Sequence, residues 1–203
     1  MGLFDDPITF IPKNWVRYVD ASNDFYYNPK EYEVLHEEDG SVFCHYVANC
    51  EVPSQPIGLH TYHQLFATYR GKILDLSRWD FKLVEDMSCM FKYARLLRKV
   101  LFSLSDYSHV RSIDELFYCC ISLQQVEWRN INFSSLQLAR NTWCNCTNLK
   151  ILNLAGWCVP ELKDMSDFCR GCSSLEELYL TGWDYRKGVR TTGAFFGCDK
   201  LRR

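Results

Sequence analysis

The feature that most limits what this chain can become is a repeat of 26 residues. Leu97, Leu123, Leu149, Leu175 and Leu201 follow one another at that interval, and Ala94, Cys120, Cys146, Cys172 and Cys198 stand three residues before them. In the same register come Leu74, Val100, Val126, Leu152 and Leu178, then Leu76, Phe102, Trp128, Leu154 and Leu180. Trp79, Trp157 and Trp183 share a further column, in which Ser105 and Ile131 replace the indole in the middle units. Another column reads Phe91, Phe117, Trp143, Cys169 and Phe195. Columns kept apolar without an insertion or deletion mean that one small unit is used repeatedly. Such a unit cannot bury its apolar edge alone, so it has to pack on its neighbours.

Each unit has the outline C-x-x-L-x-x-L-x-L-x-x-W, as in the stretch from Cys146 to Trp157. The L-x-L step has period two, which places both leucines on one face of a short strand. After it, Met87, Met90 and Phe91 recur at helical spacing. The expected fold is therefore an α/β solenoid, a leucine-rich-repeat-like stack of parallel strands with short helices, built from five units over residues 71–203.

These repeats resemble the 26-residue leucine-rich variant of BspA-like surface proteins and mycoplasma lipoproteins, whose pattern runs L-x-L-S-x-W-D, V-x-D-M-S-x-M-F and C-S-S-L. Leu74-Asp75-Leu76-Ser77-Arg78-Trp79-Asp80, Val84-Glu85-Asp86-Met87-Ser88-Cys89-Met90-Phe91 and Cys172-Ser173-Ser174-Leu175 carry the likeness. It covers about two thirds of the chain. The resemblance implies a shared scaffold and, for function, binding alone, because proteins of this kind differ in their partners. Similar repeats in protists and large DNA viruses make an intracellular or virus-encoded version the expected one.

Residues 1–70 lie outside the period and are expected to form a small α+β N-terminal cap. Tyr32, Val34 and His36, then Val42, Cys44 and Tyr46, alternate with polar residues around the turn Glu37-Glu38-Asp39-Gly40, which predicts a hairpin. Tyr62, Leu65, Phe66 and Tyr69 carry a helical stripe. Residues 1–71 hold 10 Asp/Glu against 4 Lys/Arg, whereas the rest of the chain is net basic. The chain stops at Leu201-Arg202-Arg203 with no capping sequence, which predicts self-association through the C-terminal repeat.

With a formal net charge of -2 the chain has no global field to attract it to phosphate backbones or anionic lipid, so neither nucleic acid nor membrane is an expected partner. No apolar run approaches the roughly 18 residues of a membrane span, and the start, Met1-Gly2-Leu3-Phe4-Asp5-Asp6-Pro7, is acidic where an export signal is basic. These features predict an intracellular protein, in an infected-cell cytoplasm or a virus particle. Eleven cysteines in 203 residues fall short of a disulfide scaffold.

Cys119-Cys120, Cys144-x-Cys146 and Cys169-x-x-Cys172 could offer thiolates to zinc. Cys120, Cys146, Cys172 and Cys198 nevertheless sit in the column where Ala94 serves as well, so small buried fillers are the better reading. His60-x-x-His63 has no third ligand at a recognisable spacing. No nucleophile elbow, phosphate loop or dinucleotide fingerprint is present. Asn132-Phe133-Ser134 and Asn145-Cys146-Thr147 fit the glycosylation pattern inside repeats, and Arg186-Lys187 with Arg190 reads as a solvated turn. No catalytic residue, cofactor or metal is expected.

The best functional candidate is a surface. Residues between the inward leucines point away from the core: Asp75, Leu101, Glu127, Asn153 and Tyr179 form one column, with Ser77, Leu104, Arg129, Ala155 and Thr181 beside or close to it. A non-enzymatic module binding another protein through Asp75, Leu101, Glu127, Arg129, Asn153 and Tyr179, or through the uncapped end, is the expected function. The alternatives are a structural subunit of a larger assembly and an enzyme hidden among Asp20, His36, His45, His60 and His63.

Overall fold

The computed structural model describes residues 11–48 and 50–202. The acidic start from Met1 to Pro7 and the terminal Arg203 lie outside the described residues. Short antiparallel hairpins open the chain. β1 (Val16–Val19) pairs with β2 (Asp24–Tyr27), and their turn is closed by the Asp20 carboxylate, which accepts the backbone N–H of Ser22 at 2.7 Å and of Asn23 at 2.8 Å. β3 (Tyr32–His36) pairs with β4 (Val42–Tyr46), the hairpin that the alternation predicts. Tyr32, Cys44 and Tyr46 are buried, and the Tyr46 ring meets Phe66 edge-on at 5.0 Å, fastening the hairpin to the first repeat unit.

Each L-x-L step forms a strand of three or four residues: β5 (Ile73–Leu76), β6 (Lys99–Phe102), β7 (Gln125–Glu127), β8 (Ile151–Asn153) and β9 (Glu177–Tyr179). Pairing is parallel and 26 residues apart, with Leu74 opposite Val100 and Val126 opposite Leu152 opposite Leu178. The intervening residue of each strand faces outward.

The solenoid of strands and short helices expected above is overturned, together with the α+β cap. Among the described residues there is no helix, and the strands form four separate sheets, β1-β2, β3-β4, β5-β6 and β7-β8-β9. The fold is mostly β. The apolar stripes at Tyr62, Leu65, Phe66, Tyr69 and at Met87, Met90, Phe91 belong to runs of consecutive turns. Leu65 donates its N–H to the Tyr62 carbonyl and Tyr69 to that of Phe66, with Gln64 at φ 54° and Thr68 at φ 60° in the third position of each turn. Left-handed residues every fourth position suit type II turns and stop a right-handed helix. Alternate N–H groups reach the next unit instead of four residues back. Gln64 donates to Ser88 and Phe66 to Met90; Cys89 donates to Asp114 and Phe91 to Leu116.

This turn side is joined throughout. Bridges run Thr61, Asp86, Ser112, Leu138, Asp164, Arg190 from unit to unit. Left-handed positions recur at Cys89 and Tyr93, Glu115 and Cys119, Asn141 and Asn145, Asp167 and Gly171, Gly193 and Gly197. In the later units Asn, Asp and Gly fill them, the residues that tolerate that conformation best.

Between strand side and turn side lies one aromatic core. Phe66, Phe91, Phe117 and Trp143 stack in succession, with centroids 5.8, 4.8 and 6.2 Å apart and planes within 5°, 10° and 17°. Beside them the cysteine column is tied into the backbone. Cys120 Sγ donates to the Phe91 carbonyl, Cys146 to Phe117, Cys172 to Trp143 and Cys198 to Cys169, at 3.0 to 3.1 Å. Trp183 Nε1 donates to the Leu154 carbonyl at 2.8 Å, and Trp157 Nε1 donates to that of Trp128.

Candidate functional site: a split strand face

The outward column is present and interrupted. Asp75 lies opposite Leu101 across β5 and β6, and Glu127, Asn153 and Tyr179 lie abreast across β7, β8 and β9. Between Leu101 and Glu127 the ladder breaks. No backbone hydrogen bond joins residues 98–104 to residues 124–130. Equivalent bonds exist at the other junctions of the repeat: Arg98 donates its N–H to Lys72, Lys150 to Gln124 and Glu176 to Lys150, while Asn130 donates to Ala155 and Gly156 to Thr181. Gln124, at the same place beside the break, donates to no backbone carbonyl, and neither does Leu104, which shares this with Arg78 at the paired β5–β6 junction.

Aromatic residues explain the location. Phe102 and Trp128 replace leucine in the inward column in these two units alone, and their rings stack at 4.1 Å and 8°. Ser105 and Ile131 stand where Trp79, Trp157 and Trp183 fill the core elsewhere. The Trp128 indole enters that volume from the strand, against Tyr107 at 5.4 Å, Phe133 at 5.2 Å and Trp157 at 5.5 Å. β6 keeps its register with β5 and β7 with β8, so the pairing is lost only where the two ring-bearing strands meet, while the turn side stays joined.

Across this junction the strand face holds a cleft of about 880 Å³, lined by Lys72, Arg98, Lys99 and Lys150, by Ile73, Val100, Leu101, Phe102 and Ile151, and by Ser77, Gln124, Gln125 and Glu127. Four cations therefore face one carboxylate in a chain whose net charge is -2. Among the described residues, none of these four cations has a carboxylate within ion-pair distance. Sequence reasoning missed them as a group. Their signal was there in the column of Lys72, Arg98 and Lys150, the residues immediately before β5, β6 and β8.

The expected surface residues have unequal freedom. Glu127, Arg129 and Tyr179 are exposed, whereas Asp75, Leu101 and Asn153 are half-buried. Asp75 Oδ1 accepts the Ser77 N–H at 2.9 Å, and hydrogen bonding to Ser77 holds its carboxyl below the usual carboxylate range. Tyr179 donates its hydroxyl to Glu177 at 2.6 Å. Leu104 is 95% exposed, and Ser103, which shares the column of Ser77 and Arg129, is buried.

The remaining candidate chemistry is absorbed locally. His63 Nδ1 lies 2.8 Å from Ser88 Oγ, but that hydroxyl donates to Asp86 at 3.0 Å. The same aspartate-serine pair recurs in the same column without histidine at Asp164 and Ser166, so it closes a turn of the unit. His45 Nδ1 is 3.1 Å from the Gln64 carbonyl. Among the described residues no three histidine, cysteine or acidic side chains gather as metal ligands. Among the described residues no helix is long and apolar enough to cross a membrane.

Compared with known proteins, residues 60–183 match the family described as "Mycoplasma protein of unknown function, DUF285". No curated protein and no solved structure matches the chain.

Proposed function

The chain belongs to the DUF285 family, and from that premise we propose that it is a non-enzymatic module that binds another protein through the outward face of its short parallel strands. What carries this reading is the break between β6 and β7, which leaves strand edges, apolar side chains and unpaired cations together on the face that holds Asp75, Leu101, Glu127, Arg129, Asn153 and Tyr179. Backbone edges and exposed apolar anchors ringed by charge are the means by which protein surfaces recognise one another. The likeness of its repeats to the leucine-rich BspA-like type supports the same reading at the level of family resemblance.

The test is capture of partners by wild type and by a Leu101→Arg/Tyr179→Arg double variant, both folded by circular dichroism. Loss of the same partner from the variant supports the strand face. Retention of that partner removes it.

A second reading, a subunit that self-associates in a larger assembly, draws on the exposed rings of Tyr185 and Phe196 in the last unit. Concentration-dependent oligomers that a Phe196→Glu variant abolishes would favour it.

A further inference from the structure

We propose that the cleft between β6 and β7 receives a short extended peptide whose acidic residues pair with Lys72, Arg98, Lys99 and Lys150 and whose following apolar side chain packs on Leu101. The proposal rests on the strand-face reading and names the chemistry of its partner.

Three observations converge on that occupant. The first is backbone. With no hydrogen bonds between residues 98–104 and 124–130, main-chain groups of β6 and β7 are left without a strand partner on that side, and an extended main chain can match such groups. The second is charge. Lys72, Arg98, Lys99 and Lys150 lack carboxylate partners among the described residues, and Glu127, the lone acid of the lining, is engaged by Gln125 Nε2 at 2.7 Å. Several basic side chains elsewhere on the repeats are matched, Lys92 with Glu115 at 2.5 Å, Arg140 with Asp114 at 2.5 Å and Arg190 with Asp164 at 3.5 Å, while others such as Arg78 and Arg129 have no carboxylate partner among the described residues but do not line the cleft. An unmatched group of four at the one interrupted junction is therefore complementary to carboxylates from outside. The third is the order of the lining along β6. Lys99 and Leu101 alternate outward on the same strand, so acidic positions come first and an apolar position follows about 7 Å on, two residues of strand rise.

The cleft volume of about 880 Å³ falls in the range that ligand pockets occupy, enough for a few residues and not for a folded domain. A nucleic-acid strand would use the cations but leave the strand edges and Leu101 unmatched, so the lining favours a peptide.

Fluorescence anisotropy on the full chain tests this with a labelled Ser-Glu-Asp-Glu-Val-Leu-Ser-Gly peptide, an amide version carrying Gln and Asn in place of the acids, a version carrying Lys there, and a single-stranded oligonucleotide of similar length. The acidic peptide is expected to bind, to weaken as salt rises, and to bind at least about tenfold more tightly than the amide version, the loss of roughly one ion pair stronger than an exposed one. An Arg98→Glu/Lys150→Glu variant, altered at two exposed side chains, should lose the acidic peptide and gain the Lys version. Equal binding of the acidic and amide peptides, no binding of any peptide, or tighter binding of the oligonucleotide overturns the proposal. Partner capture separates the two levels. If Leu101→Arg/Tyr179→Arg abolishes capture while no peptide binds, the strand-face reading stands and this inference falls; if capture survives that variant, the reading itself falls.

Discussion

The rings of Phe102 and Trp128 lie 4.1 Å apart and within 8° of parallel, at the one junction of the repeat where the strand backbones are not hydrogen-bonded. At the other junctions of their column at least one partner is leucine, and the ladder is intact. Stacked rings thus take over the contact between two units that main-chain bonds supply at the others.

Amide hydrogen exchange should register that substitution directly. The N–H groups of Gln124 and Leu104 exchange faster than those of their counterparts Lys150 and Asn130, by at least about tenfold, because only the latter are bonded to the neighbouring unit. A Phe102→Leu/Trp128→Leu variant narrows the gap at Gln124 by letting the strands close. Equal protection at all four amides in the wild type would contradict the broken ladder.

Gly171 occupies a left-handed position at φ 72°, and a Cβ there would collide with Oδ1 of Asn145. Gly171→Ala is expected to cost about 1 to 3 kcal/mol, from backbone strain and the displaced amide. Asn145→Gly/Gly171→Ala removes the collision and retains the strain, so it should recover part of the loss. Urea midpoints of the three proteins measure both contributions.

Thiol reactivity should divide the eleven cysteines sharply. Cys50 is exposed, whereas Cys120, Cys146 and Cys169 are buried, and burial pushes their thiols well above the ordinary value. Cys144 is raised to about 11 by burial, and Cys89 to about 12 by burial and the neighbouring Glu115. Iodoacetamide at pH 8 is expected to modify Cys50 first and to reach the column of Cys120 and Cys146 only with global unfolding. Mass spectrometry of partly labelled protein reads the order; early labelling of Cys146 would contradict its burial.

Acid should loosen the first hairpin in a defined window. The Asp20 carboxyl is lowered to about 2, first by the Ser22 N–H and then by the Asn23 side chain. Its folded value lies below the unfolded one of about 3.9, so its stabilisation is complete above that pH and disappears as pH falls towards 2. Wild type should therefore exceed Asp20→Ala in stability at pH 6, and the difference should shrink between pH 4 and 2. A difference independent of pH would mean that the carboxylate charge contributes nothing.

Much of this organisation is legible in the residues. The columns of Leu74, Val126, Leu152 and Leu178 mark the strands, the alternation around Glu37 to Gly40 marks the hairpin, and the cysteine column marks a buried row. The turn side is not legible, because apolar residues at Tyr62, Leu65, Phe66 and Tyr69 have the same spacing in a helix and in a run of turns four residues long. What separates the two is a positive φ at Gln64, Thr68, Cys89 and Tyr93, where the side chains give no warning; Asn141, Asn145, Asp167, Gly171, Gly193 and Gly197, in later units, hint at it. The break was half legible. Phe102 and Trp128 in a leucine column, beside Ser105 and Ile131 in a tryptophan column, show that two units are filled differently, but not that their strands part.

Because the turn side is bonded at every junction while the strand side is open at one, the molecule has a spine and a single leaf that can fan. Bending concentrates there: the stretch through β6 and the stretch from β7 onward can tilt about the bridge between Ser112 and Leu138 without breaking a main-chain bond. The neighbouring junctions, tied on both sides, resist the same tilt. Load applied along the row of units is accordingly felt first by the Phe102–Trp128 stack, which serves the chain as its fuse.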